Sequence, residues 1–185
     1  MNTANAAVPL QPFVRGQILR LSTDRQAGLI LQYRYYASFA GAGAAVGCNS
    51  DVRCLSVYPL GDVHFVTLET YQQRQQALQQ RIIYAKTLCK ISAVHAPLQR
   101  AYLIVRQLCL WLNPKDVQAI PYKVMSQLVG VLPNHIEAGW QQYLQHYPVE
   151  DLRLASSPHL ISPSCSYRQK PSPESIQVPI AVGHL

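Results

Sequence analysis

The sequence has few acidic side chains and none of the residue patterns that mark common catalytic sites. Its 185 residues include 9 Asp and Glu against 16 Lys and Arg, for a formal net charge of +7. The acids are dispersed, and the chain has no Gly-x-Ser-x-Gly elbow and no phosphate-binding Gly-Lys loop. We therefore expect that the protein is not an enzyme. Its positive charge favours an anionic partner such as nucleic acid, although the scattered basic residues also fit an ordinary basic surface.

The sequence also lacks clustered metal ligands and a long apolar run. Its five cysteines are odd in number, and none is spaced as Cys-x-x-Cys: Cys48, Cys54, Cys89, Cys109 and Cys165. The six histidines pair neither with each other nor with cysteine at ligand spacing, so we expect no metal and no cofactor. The N-terminus lacks a signal-peptide pattern, which predicts a reducing, cytoplasmic location. The longest apolar run, residues 101–112, is interrupted by Arg106 and too short for a bilayer, so we expect no membrane contact.

Residues 13–70 have the pattern of a small β-domain. Residues 13–21 form an apolar-rich run. Residues 28–37 alternate with a period of two, which is typical of a strand exposed on at least one side. The glycine-rich residues 39–48 predict a bend or loop, and residues 51–58 predict a third strand that ends at the following Pro-Leu-Gly-Asp.

Three tyrosines cluster in one of these predicted strands: Tyr33, Tyr35 and Tyr36. Aromatic side chains on a sheet can stack on the bases of single-stranded nucleic acid. The simpler interpretation, which we favour, is that they pack against the long helix that follows.

Residues 71–96 change to a helical period and predict one long amphipathic helix. Its first turns are dense in glutamine, a good helix former. A narrow apolar seam recurs along it at helical spacing: Leu78, Ile82, Ala85 and Cys89. Such a seam usually pairs with a partner helix, so we expect a homodimer interface here. Packing of the seam on the β-domain is the alternative. Pro97 begins a further helix with a wide apolar stripe.

Two shorter helical patterns meet at Gly130, within residues 120–144. Apolar faces flank the glycine on both sides: Met125, Leu128, Val129, Ile136, Trp140, Tyr143 and Leu144. Pro133 stands where the second helix begins, a position that tolerates proline because its missing N–H would be unpaired there. Two helices joined by a glycine turn are typical of a helix-turn-helix, which places its second helix, here 133–147, in the major groove.

The ends of the chain have different patterns. Residues 152–162 resemble two short strands around a Ser-Ser-Pro turn, which predicts a wing after the second helix. The serine- and proline-rich residues 163–185 predict a flexible tail, and the small, polar residues 1–12 predict a disordered N-terminus.

The order of these elements resembles the Crp/Fnr family of bacterial transcription regulators. Residues 13–19 (Phe-Val-Arg-Gly-Gln-Ile-Leu) are similar to an early strand of that family, residues 45–57 to a late strand, and residues 97–105 to the helix that opens its DNA domain. The resemblance implies an α+β fold in three parts: a small β-roll-like domain at 13–70, a long dimerisation helix at 71–96, and a winged helix-turn-helix at 97–162.

The chain departs from the family pattern at both of its functional sites. Members that bind cyclic nucleotides carry a glutamate and an arginine in the region of residues 39–46, and this chain has neither, so we expect no cyclic-nucleotide binding. Many members hold arginine, glutamate and arginine where this chain has Pro133, Asn134 and Ala138. Asparagine and glutamine can pair with adenine. Base contacts are therefore expected from the outer face of the second helix: Asn134, His135, Ala138, Gln141 and Gln142. Phosphate contacts are expected from Lys123, Arg100 and Arg153.

These patterns predict a dimeric transcription regulator that binds double-stranded DNA in the cytoplasm. The alternative is a non-enzymatic interaction module. In that case the long helix or the tyrosine-rich sheet docks a protein partner, such as another regulator or a polymerase. The absence of the family's arginines from the second helix favours this alternative.

Overall fold

The computed structural model describes residues 17–24 and 26–146. They form a mixed α+β fold, which confirms the predicted class. The strands are β1 (Leu19–Leu21), β2 (Gly28–Gln32), β3 (Ala37–Gly41), β4 (Ala45–Val46), β5 (Ser56–Leu60) and β6 (Phe65–Thr67). The helices are α1 (Tyr71–Ser92), α2 (Pro97–Trp111), α3 (Pro114–Gln118), α4 (Tyr122–Val129) and α5 (Pro133–His146), with a 3-10 turn at Asn49–Asp51.

The strands form two small antiparallel sheets. One has the order β4-β1-β6, and the other has the order β3-β2-β5. In the second sheet, Ile30 of β2 lies opposite Phe39 on one side and Tyr58 on the other. The side chains of Leu29, Ile30 and Leu31 are all fully buried, so β2 is the centre of this sheet.

The single strand predicted over residues 28–37 is wrong, because the chain turns back within it. Residues 33–36 join β2 to β3 as a hairpin, in which the Tyr33 N–H donates to the Tyr36 carbonyl oxygen at 2.8 Å. The Tyr33 and Tyr36 rings stack with their centroids 4.5 Å apart. Tyr35 and Tyr36 are exposed and do not pack against the long helix as we expected. The turn side chains happen to continue the strand's alternation, which conceals the reversal in the sequence.

The loop predicted over residues 39–48 is also wrong, because it contains the end of β3 and all of β4. Its small residues serve close packing. A Cβ atom on Gly41 would lie 2.6 Å from the Tyr84 ring, and one on Gly28, its partner in the sheet, would lie 2.7 Å from the Phe39 ring. Glycine at these two positions lets aromatic rings approach the sheet backbone.

The predicted third strand is displaced toward the C-terminus. Asp51 belongs to the 3-10 turn, and β5 begins only at Ser56. The strand continues through Pro59 and Leu60, which we expected to terminate it, and the chain turns at Gly61, where φ is +69°. Proline is accommodated because β5 is an edge strand, where one side of the backbone needs no ladder partner.

The long helix α1 begins and ends at residues with clear capping signals. The Thr70 side chain accepts the Gln73 N–H, and the Gln73 side chain accepts the Thr70 N–H, both at 3.2 Å. This reciprocal capping box satisfies donors that a helix start leaves open. The helix ends at Ser92, four residues before the predicted end. Its buried face consists of Ala77, Tyr84, Leu88 and Ile91.

One continuous apolar core joins the strands to all the helices. At its centre, the Phe39 ring stacks on Trp111 with centroids 5.0 Å apart, and Tyr84 meets both rings edge-on. These three residues tie β3, α1 and α2 together, and the same core continues to Ile136 of α5. The core therefore crosses the predicted boundaries near residues 70 and 96.

Several predictions concern residues that lie outside the described part of the chain. They are the N-terminal segment 1–12, the wing at 152–162 with Arg153, and the tail at 163–185. Across residues 17–24 and 26–146, no helix has both the length and the hydrophobicity to cross a membrane.

Candidate nucleic-acid interface

The two helices predicted on either side of Gly130 are present, and the glycine sets the angle between them. Gly130 ends α4 with φ +63° and ψ +51°, in the left-handed region. A side chain at this position would meet no atom within 4 Å, so glycine is favoured for its backbone conformation alone. The Val131 N–H then donates to the Ser126 carbonyl oxygen at 3.2 Å, and Pro133 begins α5.

The inner face of α5 is held tightly against α2. Ile136, Trp140 and Tyr143 are buried there. The two backbones approach closely at Gly139, because a Cβ atom on it would lie 2.7 Å from the Ala101 carbonyl carbon in α2. The orientation of α5 is therefore fixed by backbone-to-backbone contact, and its opposite face is directed outward.

The five residues predicted to contact bases do not share one environment. Asn134 and Gln141 are exposed, and Ala138 lies between them at helical spacing, half-buried. These three form the outward ridge of α5. His135 and Gln142 lie on one flank and are half-buried, and the His135 Nδ1 atom is buried with no hydrogen-bond partner in the described part of the chain.

The outward ridge carries no positive charge. Glu137 is exposed beside it, and no Lys or Arg occurs in α5. The three residues predicted to contact phosphates all belong to other elements or segments. Lys123 is exposed in the first turn of α4 and is available for this role. Arg100 is half-buried, and its Nη1 donates to the Ser92 carbonyl oxygen at 3.5 Å, so it is partly committed to the end of α1. The third predicted contact, Arg153, lies outside the described residues.

The positive charge is concentrated on α1 and α2. No acidic residue occurs between Glu69 and Asp116, whereas these two helices carry six basic ones: Arg74, Arg81, Lys86, Lys90, Arg100 and Arg106. The basic residues are scattered along the sequence, so their positions alone did not predict this segment. The absence of acids over the interval is the signal that reveals it.

The seam predicted for dimerisation lies mostly on the solvent side of α1. Ile82 is 43% exposed, and Ala85 and Cys89 are exposed as well. Leu78 is half-buried against a small cluster formed by Ala45, Leu68 and Ala77. The residues of α1 that pack into the core are not the seam residues but Ala77, Tyr84, Leu88 and Ile91. Within the described structure, the β-sheets therefore leave most of the seam uncovered. Its spacing of alternating three and four residues is that of a coiled-coil contact.

A buried polar cluster connects the hairpin, the 3-10 turn and α1. The Asp51 carboxylate accepts from the Tyr33 hydroxyl at 2.9 Å, from the Gly47 N–H at 3.0 Å and from the Arg81 guanidinium at 3.4 Å. Arg81 also donates to the Ser38 hydroxyl at 2.7 Å. Burial, and then the neighbouring Asp51, raise the pKa of Tyr33 above its ordinary range. No local motif predicts this cluster, because its members are distant in the sequence.

No group of three or more His, Cys, Asp and Glu side chains within residues 17–24 and 26–146 could hold a metal ion. The candidate site therefore consists of three features: the angle between α4 and α5, the outward ridge of α5, and the basic residues of α1 and α2. No protein-family model, no curated protein and no solved structure matches this chain.

Proposed function

We propose that this protein is a DNA-binding transcription regulator that places α5 in the major groove. The observation that carries the proposal is the arrangement of α4 and α5 around the left-handed Gly130. The inner face of α5 packs on α2, and the outward ridge of α5 faces away from it. Asparagine and glutamine can make bidentate contacts to adenine in the major groove. We assign these contacts with adenine to Asn134 and Gln141.

The order of elements supports a regulator of the Crp/Fnr type in a shortened form. In this proposal the two small sheets correspond to a reduced β-roll, α1 to the dimerisation helix, and residues 152–162 to the wing. The protein acts in the cytoplasm without enzymatic activity. It binds no cyclic nucleotide, because residues 39–46 contain no charged side chain.

Self-association through the seam of α1 would present two copies of α5 to successive major grooves, about 34 Å apart. Ile82 lies on the seam, whereas its neighbour Ile83 is 48% exposed but points about 100° away around the helix. Ile82→Glu is therefore expected to shift the protein toward monomer in analytical ultracentrifugation, and Ile83→Glu is the matched control. Equal effects of the two substitutions would exclude the seam as the interface.

The test of DNA reading is retention of fragmented genomic DNA at physiological salt, followed by sequencing. The wild-type protein is expected to enrich a few sites with two-fold symmetry. Asn134→Ala with Gln141→Ala should remove this enrichment without unfolding the protein, because both side chains are exposed. Gln118→Ala, an exposed amide on α3, is the control. If the double variant enriches the same sites as the wild type, α5 does not read them.

A second candidate function is an interaction module, and a specific observation favours it. The outer surface of α1 combines exposed apolar residues with Lys86 and Lys90 and has no acid, which suits an acidic amphipathic helix of a partner protein. DNA binding and this contact differ in their response to salt. Neutralised phosphates release counterions, so DNA affinity falls steeply as salt rises. A mainly apolar contact changes much less.

A further inference from the structure

A cleft between the β3–β4 turn and the N-terminal half of α1 has the properties of a small-molecule site. Its volume is about 330 Å³, and its polar lining comes from Arg20, Thr23, Gln76 and Gln80. This volume lies at the lower end of the range for ligand pockets. Gly43 forms part of its wall with φ +77°, and a Cβ atom there would lie 3.4 Å from the Thr23 Cγ2 atom. The glycine keeps the space beside the threonine clear.

Among residues 17–24 and 26–146, Arg20 is the only charged residue in this lining, and no side chain of these residues neutralises it. It lies in the middle of β1, opposite Ala45 of β4 and Val66 of β6. Side chains alternate along a strand, so Arg20 shares the face of Ile18, which packs on the apolar cluster of Ala45, Leu68 and Ala77. Arg20 is half-buried there.

The guanidinium of Arg20 has no counter-charge among residues 17–24 and 26–146. Its Nε atom is buried and makes no hydrogen bond in this part of the chain. No carboxylate of these residues forms an ion pair with it. The first 16 residues contain no Asp or Glu, so the adjoining N-terminal segment has no acidic side chain to offer. Partial burial of a cation without a counter-charge costs free energy, and an anion bound in the cleft would remove that cost.

The other polar groups in the cleft are neutral donors. The Thr23 hydroxyl and the Gln76 amide make no hydrogen bond to any described residue, and no acidic side chain lines the cleft. One guanidinium with neutral donors is the arrangement that binds an oxyanion, since a planar guanidinium can form two parallel hydrogen bonds to a carboxylate or a phosphate. We propose that this cleft binds a small molecule through a carboxylate or phosphate group held by Arg20.

The test uses the full-length protein with inorganic phosphate and citrate as probes, and sodium chloride at the same ionic strength as the reference. Isothermal titration calorimetry should show one site per chain for at least one probe. The class of the better probe distinguishes a phosphate ligand from a carboxylate ligand. Arg20→Gln should weaken binding at least about tenfold, and Arg20→Lys should weaken it less. Arg34→Gln, on the exposed hairpin turn, is the matched control and should bind as the wild type does.

Thermal unfolding supplies an independent measurement. At a probe concentration about 100 times the dissociation constant, the wild-type midpoint should rise by about 5 °C or more, and the midpoint of Arg20→Gln should not show this extra rise. In chloride alone, Arg20→Gln should be at least as stable as the wild type, because the substitution removes an uncompensated charge. The proposal is wrong if neither probe binds, if Arg20→Gln binds equally well, or if it is less stable in chloride, which would mean that the chain itself supplies the counter-charge. None of these results depends on DNA binding.

Discussion

Replacement of Asp51 by alanine is expected to be among the most damaging single substitutions in the described structure. The Asp51 side chain is fully buried, and that of Arg81 is only 12% exposed. Removal of the carboxylate leaves the guanidinium, the Tyr33 hydroxyl and the Gly47 N–H without their common acceptor. Breaking a buried ion pair from one side typically costs about 3–5 kcal/mol. A domain is usually stable by only about 5–15 kcal/mol, so the loss is a large fraction of the total.

Urea unfolding followed by tryptophan fluorescence measures this loss, because Trp111 lies in the aromatic cluster of the core. With a denaturant dependence of about 2 kcal/mol per molar, the midpoint should fall by about 1.5–2.5 M. The control is Asp62→Ala, which removes a 56% exposed carboxylate near His64 and should change stability by less than about 0.5 kcal/mol.

A double-mutant cycle identifies the cause of the loss. If the penalty comes from an uncompensated guanidinium, Arg81→Leu added to Asp51→Ala should recover part of the stability, with a coupling energy above about 1.5 kcal/mol. Additive effects, or a loss below about 1 kcal/mol for Asp51→Ala, would refute the reasoning that this cluster joins the 3-10 turn to α1.

Three further predictions concern other parts of the structure. Because burial raises the pKa of Tyr33, this phenol ionises first in the unfolded chain, so the contribution of Tyr33 to stability should be constant below about pH 10 and be lost above it. Urea titrations at several pH values should therefore show that stability falls less steeply above about pH 10 in Tyr33→Phe than in the wild type. Gly139→Ala should lower the free energy of unfolding by about 1–3 kcal/mol, because the added methyl group would meet the backbone of α2. In an ordinary helix alanine is more stable than glycine by about 1 kcal/mol, so a gain in stability would mean that α5 is not packed on α2. Burial raises the pKa of the Cys109 thiol to about 11, so a disulfide reagent at pH 8 should modify it much more slowly than exposed Cys89, and similar rates in single-cysteine variants would contradict this placement.

In the C-terminal half, α2, α4 and α5 could be predicted closely because their boundaries are encoded locally, whereas the short α3 was not predicted. Pro97 and Pro133 each begin a helix, and Gly130 adopts the left-handed conformation that ends one. Proline in a first turn and glycine after a last turn act through the backbone of their own element. These signals therefore need no knowledge of the rest of the chain.

The strands were predicted less well because their partners decide them. Gly41 and the alanines of β3 and β4 resemble a loop in the sequence, and only the structure shows that a Cβ atom on Gly41 would lie 2.6 Å from the Tyr84 ring. The hairpin at residues 33–36 continues the alternation of β2, so the pattern cannot show where the chain reverses. Tertiary contacts decide β-structure more than intrinsic propensity does.

The sequence predicts which residues of the candidate site share one face of α5, but not how buried they are or which hydrogen bonds they make. Helical spacing identifies Asn134, Ala138 and Gln141 as neighbours. It does not show that His135 is half-buried, nor that Arg100 donates to the carbonyl at the end of α1. A role for Arg20 was not predicted from the sequence, because its lack of a counter-charge among the described residues follows only from the folded structure.

The central claim is that α5 reads bases. Its most direct test compares two proteins on two duplexes, one of them a site enriched from genomic DNA. Affinities of the wild type and of the Asn134→Ala, Gln141→Ala double variant are measured for the site and for a version with one conserved A·T pair changed to G·C. The wild type should lose about 1–3 kcal/mol on the base change, and the double variant should bind both duplexes equally. An equal loss for both proteins would show that the discrimination does not come from these side chains and would contradict the account.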